Sequence, residues 1–210
     1  MSSSEQRITP STEHASNKPW DARLAAWLIK PLINGPIHPN VLTTVRLLVG
    51  VAGAVMFAQG EHFNIAALLI VTSNFLDHTD GELARFSGKL STFGHRYDLA
   101  SDAIVTIGMF VGIGLGLGES LGTKSAWMGL AAGIAVAGIF HLRNQLENAH
   151  GKSATKQPNV FGFEAEDVLY LIPLVSFTDN MPGFLWAASI GAPLALLIVY
   201  IDYRRTAKSL

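Results

Sequence analysis

Residues 77–102 read DHTDGELARFSGKLSTFGHRYDLASD, and they place four aspartates, Asp77, Asp80, Asp98 and Asp102, against the ends of two strongly apolar segments. On a helix, positions 77, 80, 81, 84 and 85 fall at i, i+3, i+4, i+7 and i+8, so Asp77, Asp80, Gly81, Ala84 and Arg85 share a stripe. In the next segment Gly94, Asp98 and Asp102 recur every four residues and share another. Between them Ser87, Gly88, Lys89 and Ser91 read as a turn that returns the second helix antiparallel to the first, so that the two acidic stripes can face each other.

The surrounding chain explains why this grouping is unusual. Of 210 residues, 49% are hydrophobic and only 15% are charged, whereas soluble domains carry about 25% charged residues. Lipid is the expected solvent. Six segments approach the ~20 apolar residues a span requires, at roughly 40–59, 63–87, 94–118, 123–146, 165–179 and 183–203. The expected fold is all-α, a six-helix membrane bundle over 35–210. It is preceded by a polar, disordered tail over 1–17 and an amphipathic interfacial helix over 18–34, whose Trp20, Leu24, Trp27, Leu28 and Leu32 recur at helical spacing.

With six spans both termini share a side, and every Lys and Arg except Lys124 falls on it. The positive-inside rule makes that side cytoplasmic, and it carries the 77–102 stretch. A chain this compact, with no signal-peptide core, suits a prokaryotic inner membrane. No basic footprint for nucleic acid is present, and the absence of cysteine excludes disulfides, thiolate catalysis and Cys-ligated metals.

Four converging carboxylates cannot all stay ionised without positive charge between them. All-oxygen ligation suits Mg²⁺, Mn²⁺ or Ca²⁺ rather than Zn²⁺, and paired ions about 3.5–4 Å apart are a recurring device of phosphoryl chemistry. The small Gly81, Ala84 and Gly94 leave room beside them for a diphosphate. Acids within a membrane domain also mark ion paths, so a divalent-cation transporter or channel is the rival from another class. Such a path does not account for Gly81, Ala84, Arg85 and Gly94 at their spacing.

Asp77-x-x-Asp80-Gly81-x-x-Ala84-Arg85, eight residues, then Gly94-x-x-x-Asp98-x-x-x-Asp102 resembles the complete signature of the CDP-alcohol phosphotransferases. Pro39-Asn40-x-Leu42-Thr43-x-x-Arg46 is similar to the start of that family's first membrane helix. The resemblance implies a membrane enzyme of phospholipid synthesis, a homodimer of six-span subunits embedded in lipid, that moves a substituted phosphate from a CDP-linked alcohol to an acceptor alcohol and releases CMP with Mg²⁺ or Mn²⁺. It also implies that Asp77, Asp80, Asp98 and Asp102 form a two-ion metal site, that Asp98 and Asp102 are catalytic with Asp102 the general base, and that Gly81, Ala84, Arg85 and Gly94 shape the CDP pocket, with Asn40 and Thr43 nearby. Family habit favours CDP-diacylglycerol as donor and a small polar alcohol as acceptor; a CDP-choline or CDP-ethanolamine enzyme with diacylglycerol as acceptor is the alternative, and an inactive scaffold is disfavoured by the intact aspartates.

Other residues carry weaker signals. Arg46 lies inside the first span and either reaches the acidic site or a phosphate or snorkels to the interface. His78, Glu82 and His95 adjoin the motif without being expected ligands. Arg96, Arg143, Lys152 and Lys156 follow the positive-inside bias or meet a phosphorylated acceptor; Glu166 and Asp167, at the start of the fifth span, are further acceptor contacts to weigh. Gly108, Gly112 and Gly116 in the third span, and Gly129 and Gly133 in the fourth, allow close helix approach either between subunits or within one.

Overall fold

The protein was analysed as a computed structural model that describes residues 29–31, 35–150 and 169–208. The described residues form helices and no strand: α1 (Pro39–Gln59), α2 (Phe63–Phe86), α3 (Thr92–Gly116), α4 (Gly118–Leu121), α5 (Lys124–His150), α6 (Ile172–Phe177) and α7 (Met181–Lys208). The all-α expectation is met. Four helices are long and apolar enough to cross a membrane, namely α1, α3, α5 through Leu146 and α7 through Thr206. α2 matches them in length, with 24 residues, but its last turns carry Asp77, Asp80, Glu82 and Arg85 and lower its apolar character. Of the expected 165–179 span, the described part holds the six-residue α6, and its start lies outside the described residues. Among the described residues, four of the six expected spans therefore correspond to helices that meet both criteria. The 1–17 tail, most of the 18–34 helix, Lys152, Lys156, Glu166 and Asp167 also lie outside the described residues.

Local chemistry sets the ends of the elements that build the site. α1 opens with Pro39 at its first position, where a missing N–H costs nothing, and the His38 ring Nδ1 accepts from the Asn40 N–H at 3.2 Å. α2 stops in a Schellman motif. Gly88 adopts φ 67°, and the N–H groups of Gly88 and Lys89 donate to the carbonyls of Arg85 and Ala84 at 3.4 and 3.1 Å. α3 starts under the Ser91 cap, whose Oγ accepts from the Gly94 N–H at 2.9 Å. Lys89 Nζ then donates to the carbonyls of Gly35 and Ile37 at 3.4 and 3.3 Å, tying the α2–α3 turn to the approach to α1.

α1 packs against both α2 and α3, α3 against α5, α5 against α7, and α6 against α2. The core gathers Phe57, Ala66, Ile70, Met109, Phe110, Ile113, Ala132, Ile172 and Leu185. Glycine ladders let the backbones touch: a Cβ on Gly112 or Gly116 would run into the α1 carbonyls of Ala54 or Phe57, and one on Gly129 into the α3 carbonyl of Phe110. These ladders thus serve contacts within one subunit. At the far end of the bundle Ser176 donates to Asn64 Oδ1 at 2.6 Å, fixing α6 beside the start of α2.

Candidate active site

After the α2–α3 turn the chain returns, and α1 packs along both helices. That arrangement converges all four aspartates on one residue of α1, Arg46, whose side chain is 2% exposed. Its Nη2 donates to Asp98 Oδ1 at 2.6 Å and to the Asp98 carbonyl at 3.1 Å. Nη1 donates to Asp102 Oδ1 at 2.8 Å, and Nε to Asp80 Oδ2 at 3.3 Å. Asp77 Oδ1 stands 2.9 Å from Nη2, an ion pair without hydrogen-bond alignment, since that oxygen has no hydrogen-bond partner. Ser73 of α2 donates to the Arg46 carbonyl at 2.8 Å and holds the backbone in place. Arg46 is therefore the hub of the cluster rather than a snorkelling cation.

Four carboxylates against one guanidinium leave three negative charges unmatched when all are ionised. Asp77, Asp98 and Asp102 each bring an oxygen within 4.8 Å of the others. Three carboxylates that can each offer an oxygen, with a buried Asp77 Oδ1 that has no hydrogen bond among the described residues, fit a hard divalent cation. Asp80 stands outside that trio, 5% exposed and turned towards Arg46 Nε.

Two cavities flank the cluster. One, of about 150 Å³, is lined by Asn40, Thr43, Asp80, Gly81, Ala84, Arg85, Gly94 and Asp98, together with Lys89 and His95. The six residues expected to shape a nucleotide pocket thus line a single space. A Cβ on Gly94 would stand 3.0 Å from both Asn40 Oδ1 and Ser91 Oγ, a tight contact that those two side chains would have to shift to relieve. Arg85 is held by Glu82, Nη2 to Oε1 at 2.9 Å, with the guanidinium half exposed and the carboxylate buried. Glu82 thus steadies a cavity residue and stays out of the acidic trio.

The second cavity, of about 130 Å³, is lined by Arg46, Asp77 and Asp102, by Asn74 of α2 and Arg143 and Asn144 of α5, and by the apolar Ile70, Val105 and Met109. Arg143, for which the sequence leaves both charge bias and a phosphorylated acceptor open, lines this cavity, and so does Asn74, which no sequence signal marks. No periodic signal links them; they line one cavity because α1 packs on both α2 and α3 and α3 packs on α5.

Residues 36–200, most of the chain and all of this geometry, match the profile of the CDP-alcohol phosphatidyltransferases. The chain belongs to that family. Among curated relatives, archaetidylinositol phosphate synthase of Pyrococcus horikoshii is 33% identical over 87 residues, covering 41% of this chain and 46% of that protein. CDP-diacylglycerol–serine O-phosphatidyltransferase of Helicobacter pylori strain J99 is 25% identical over 155 residues, covering 71% of this chain and 61% of that protein. The matched segments thus span less than two thirds of either relative. The crystal structure of Mycobacterium tuberculosis phosphatidylinositol phosphate synthase (PgsA1) with CDP-DAG bound superposes with a TM-score of 0.59 over 87% of this chain and 91% of that one. At 20% identity that likeness establishes the fold of a CDP-alcohol phosphatidyltransferase.

Proposed function

We propose that this protein, a multi-pass membrane protein, transfers a phosphatidyl group from CDP-diacylglycerol to a small alcohol and releases CMP. The observation that carries this reading is the meeting of four aspartates beside one cavity lined by Asn40, Thr43, Gly81, Ala84, Arg85 and Gly94. The phosphatidyl-transferring names of the relatives and the CDP-DAG in the Mycobacterium structure agree with it. The gathering of Lys and Arg at the site's face supports an active site that looks into the cytoplasm.

In the reaction, the acceptor hydroxyl oxygen bonds to the phosphorus that carries the lipid, the bond from that phosphorus to the CMP oxygen breaks, and the hydroxyl proton passes to a base. Asp102 takes the proton: it borders the cavity opposite the nucleotide, 38% exposed, while Arg46 holds its other side. Arg85 and Lys89, at the mouth of the first cavity, attract the diphosphate, and Gly81, Ala84 and Gly94 let it approach the backbone. Asp77, Asp98 and Asp102, with Asp80 completing the set on the nucleotide side, would hold Mg²⁺ or Mn²⁺, two ions together. When bound, these neutralise the diphosphate and stabilise charge on the phosphorus oxygens and departing CMP.

The test is CMP release by the purified protein with Mg²⁺ and CDP-diacylglycerol across a panel of acceptor alcohols, with Asp98→Asn as control. Acceptor-dependent release that the substitution abolishes supports the reading. Release only from CDP-choline with diacylglycerol would replace the donor, and cation flux into proteoliposomes without any nucleotide would replace the function.

A further inference from the structure

Lys89 belongs to the turn between α2 and α3, yet its ammonium donates to the carbonyls of Gly35 and Ile37, 54 and 52 positions away in the chain, at 3.4 and 3.3 Å. The turn fixes where that side chain starts, since Gly88 takes φ 67° and the Lys89 N–H donates to the Ala84 carbonyl at 3.1 Å. Residues 35–38 belong to no helix or strand, and Pro36 lacks an N–H, so no backbone ladder holds this approach to α1. The same Lys89 lines the first cavity with Asn40 and Thr43, which stand in the first two turns of α1, directly after the approach. An ammonium carries three N–H donors and no acceptor. Two of them go to the approach, which leaves one for a ligand in the cavity.

We infer that Lys89 is a positioning residue: by pinning residues 35–37 it sets the place of Asn40 and Thr43 in the cavity wall, and it makes nucleotide occupancy and the order of the α1 start reinforce each other. The inference rests on the phosphatidyl-transfer reading above for the identity of the ligand, and it goes beyond the attraction of a charge for a diphosphate. Attraction needs only a cation near the mouth, and the half-exposed Arg85 already supplies one. An ammonium held on two backbone carbonyls has lost side-chain freedom that a free surface lysine keeps, so its position matters as well as its charge. The start of α1 is where that position is felt. Pro39 opens the helix, the Asn40 N–H relies on the His38 ring at 3.2 Å, and the Val41 N–H relies on the His38 carbonyl at 2.9 Å. Both partners belong to the residue that follows the pinned Ile37 carbonyl. Slack in the approach therefore reaches the first N–H groups of α1, and with them the Asn40 side chain.

The experiment uses the full chain in detergent and reads amide hydrogen exchange by mass spectrometry over peptides spanning 37–44, with peptides of α5 as internal control. It compares the wild type, Lys89→Met, which keeps most of the aliphatic stem, and Lys89→Arg, each with and without millimolar CDP and Mg²⁺. Exchange over 37–44 should be about tenfold faster in Lys89→Met, the scale of one lost charge-assisted hydrogen bond. The α5 peptides should not change, which general misfolding would not allow, and Lys89→Arg should recover part of the protection. CDP should slow exchange over 37–44 in the wild type and lose that effect in Lys89→Met. In kinetics on the same preparations, the KM for CDP-diacylglycerol should rise about tenfold in Lys89→Met while acceptor KM stays within about twofold.

Unchanged exchange over 37–44 in Lys89→Met overturns the inference even if donor KM rises, because Lys89 is then only a charge at the cavity mouth, and phosphatidyl transfer stands. Faster exchange with an unaltered CDP effect and donor KM overturns it too, because the pin then does not reach the cavity. If the wild type neither releases CMP nor responds to CDP in exchange, the transfer reading fails and the coupling to nucleotide falls with it.

Discussion

Replacing Arg46 by methionine removes the one cation that the four aspartates share. In the intact protein it makes hydrogen bonds of 2.6, 2.8 and 3.3 Å to Asp98, Asp102 and Asp80 and an ion pair of 2.9 Å to Asp77. Breaking a buried ion pair from one side costs about 3–5 kcal/mol. Here only Asp80 is deeply buried, at 5% exposure, whereas Asp77, Asp98 and Asp102 are 25–38% exposed and keep some water. The lower end, about 3 kcal/mol, is therefore expected. For a chain of this length that is a fall of roughly 6–12 °C in the unfolding midpoint. The assay is thermal unfolding of detergent-purified protein in EDTA, followed by far-UV circular dichroism, and then repeated with Mn²⁺. A cation at a hundred times its Kd adds about 2.7 kcal/mol, and the variant, whose acids have no other ion pair among the described residues, should gain more from Mn²⁺ than the wild type does. A variant that melts within about 2 °C of the wild type in EDTA, or that gains no more from Mn²⁺, would refute the hub role of Arg46.

Three further outcomes are expected. Asp102→Asn should lower CMP release by about 100-fold or more while Mn²⁺ still raises its melting midpoint; near-normal turnover with metal bound would remove Asp102 as the base. Gly94→Ala places a Cβ 3.0 Å from Asn40 Oδ1 and Ser91 Oγ, and a cost near 1–2 kcal/mol translates to roughly tenfold weaker donor binding. Its acceptor KM should be unchanged, so a donor titration that matches the wild type would count against the nucleotide cavity. Gly116→Ala drives a methyl into the Phe57 carbonyl and should lose about 1–3 kcal/mol of stability with no change in either KM, read from unfolding and kinetics on the same preparation.

The acidic half of the site was legible because it is local. Asp77 to Asp102 lie on two consecutive helices joined by a short turn, and helical spacing alone aligns them. The apolar runs likewise gave α1, α3, α5 and α7 to within a few residues, since length and hydropathy are properties of a single segment. What escaped depends on packing between segments. Whether Arg46 snorkels or turns inward is decided by α1 lying against both α2 and α3, and chain order does not encode that neighbourhood. Asn74 and Arg143 are 69 positions apart, and their juxtaposition exists only once α2 and α5 flank the same space. Glu82, adjacent to the motif, proved buried and paired with Arg85 because the i,i+3 contact closes over the helix surface.

The two cavities have no lining residue in common, and each borders two of the carboxylates, the first Asp80 and Asp98 and the second Asp77 and Asp102. If the proposed transfer holds, with the nucleotide in the first cavity and the acceptor in the second, each co-substrate has its own chamber and neither needs the other to leave before it arrives. That layout calls for a ternary complex with intersecting double-reciprocal plots, in either order of addition. On that same reading the incoming oxygen and the departing CMP would stand on opposite faces of phosphorus, so a chiral-phosphate donor should emerge with its configuration inverted once and never twice.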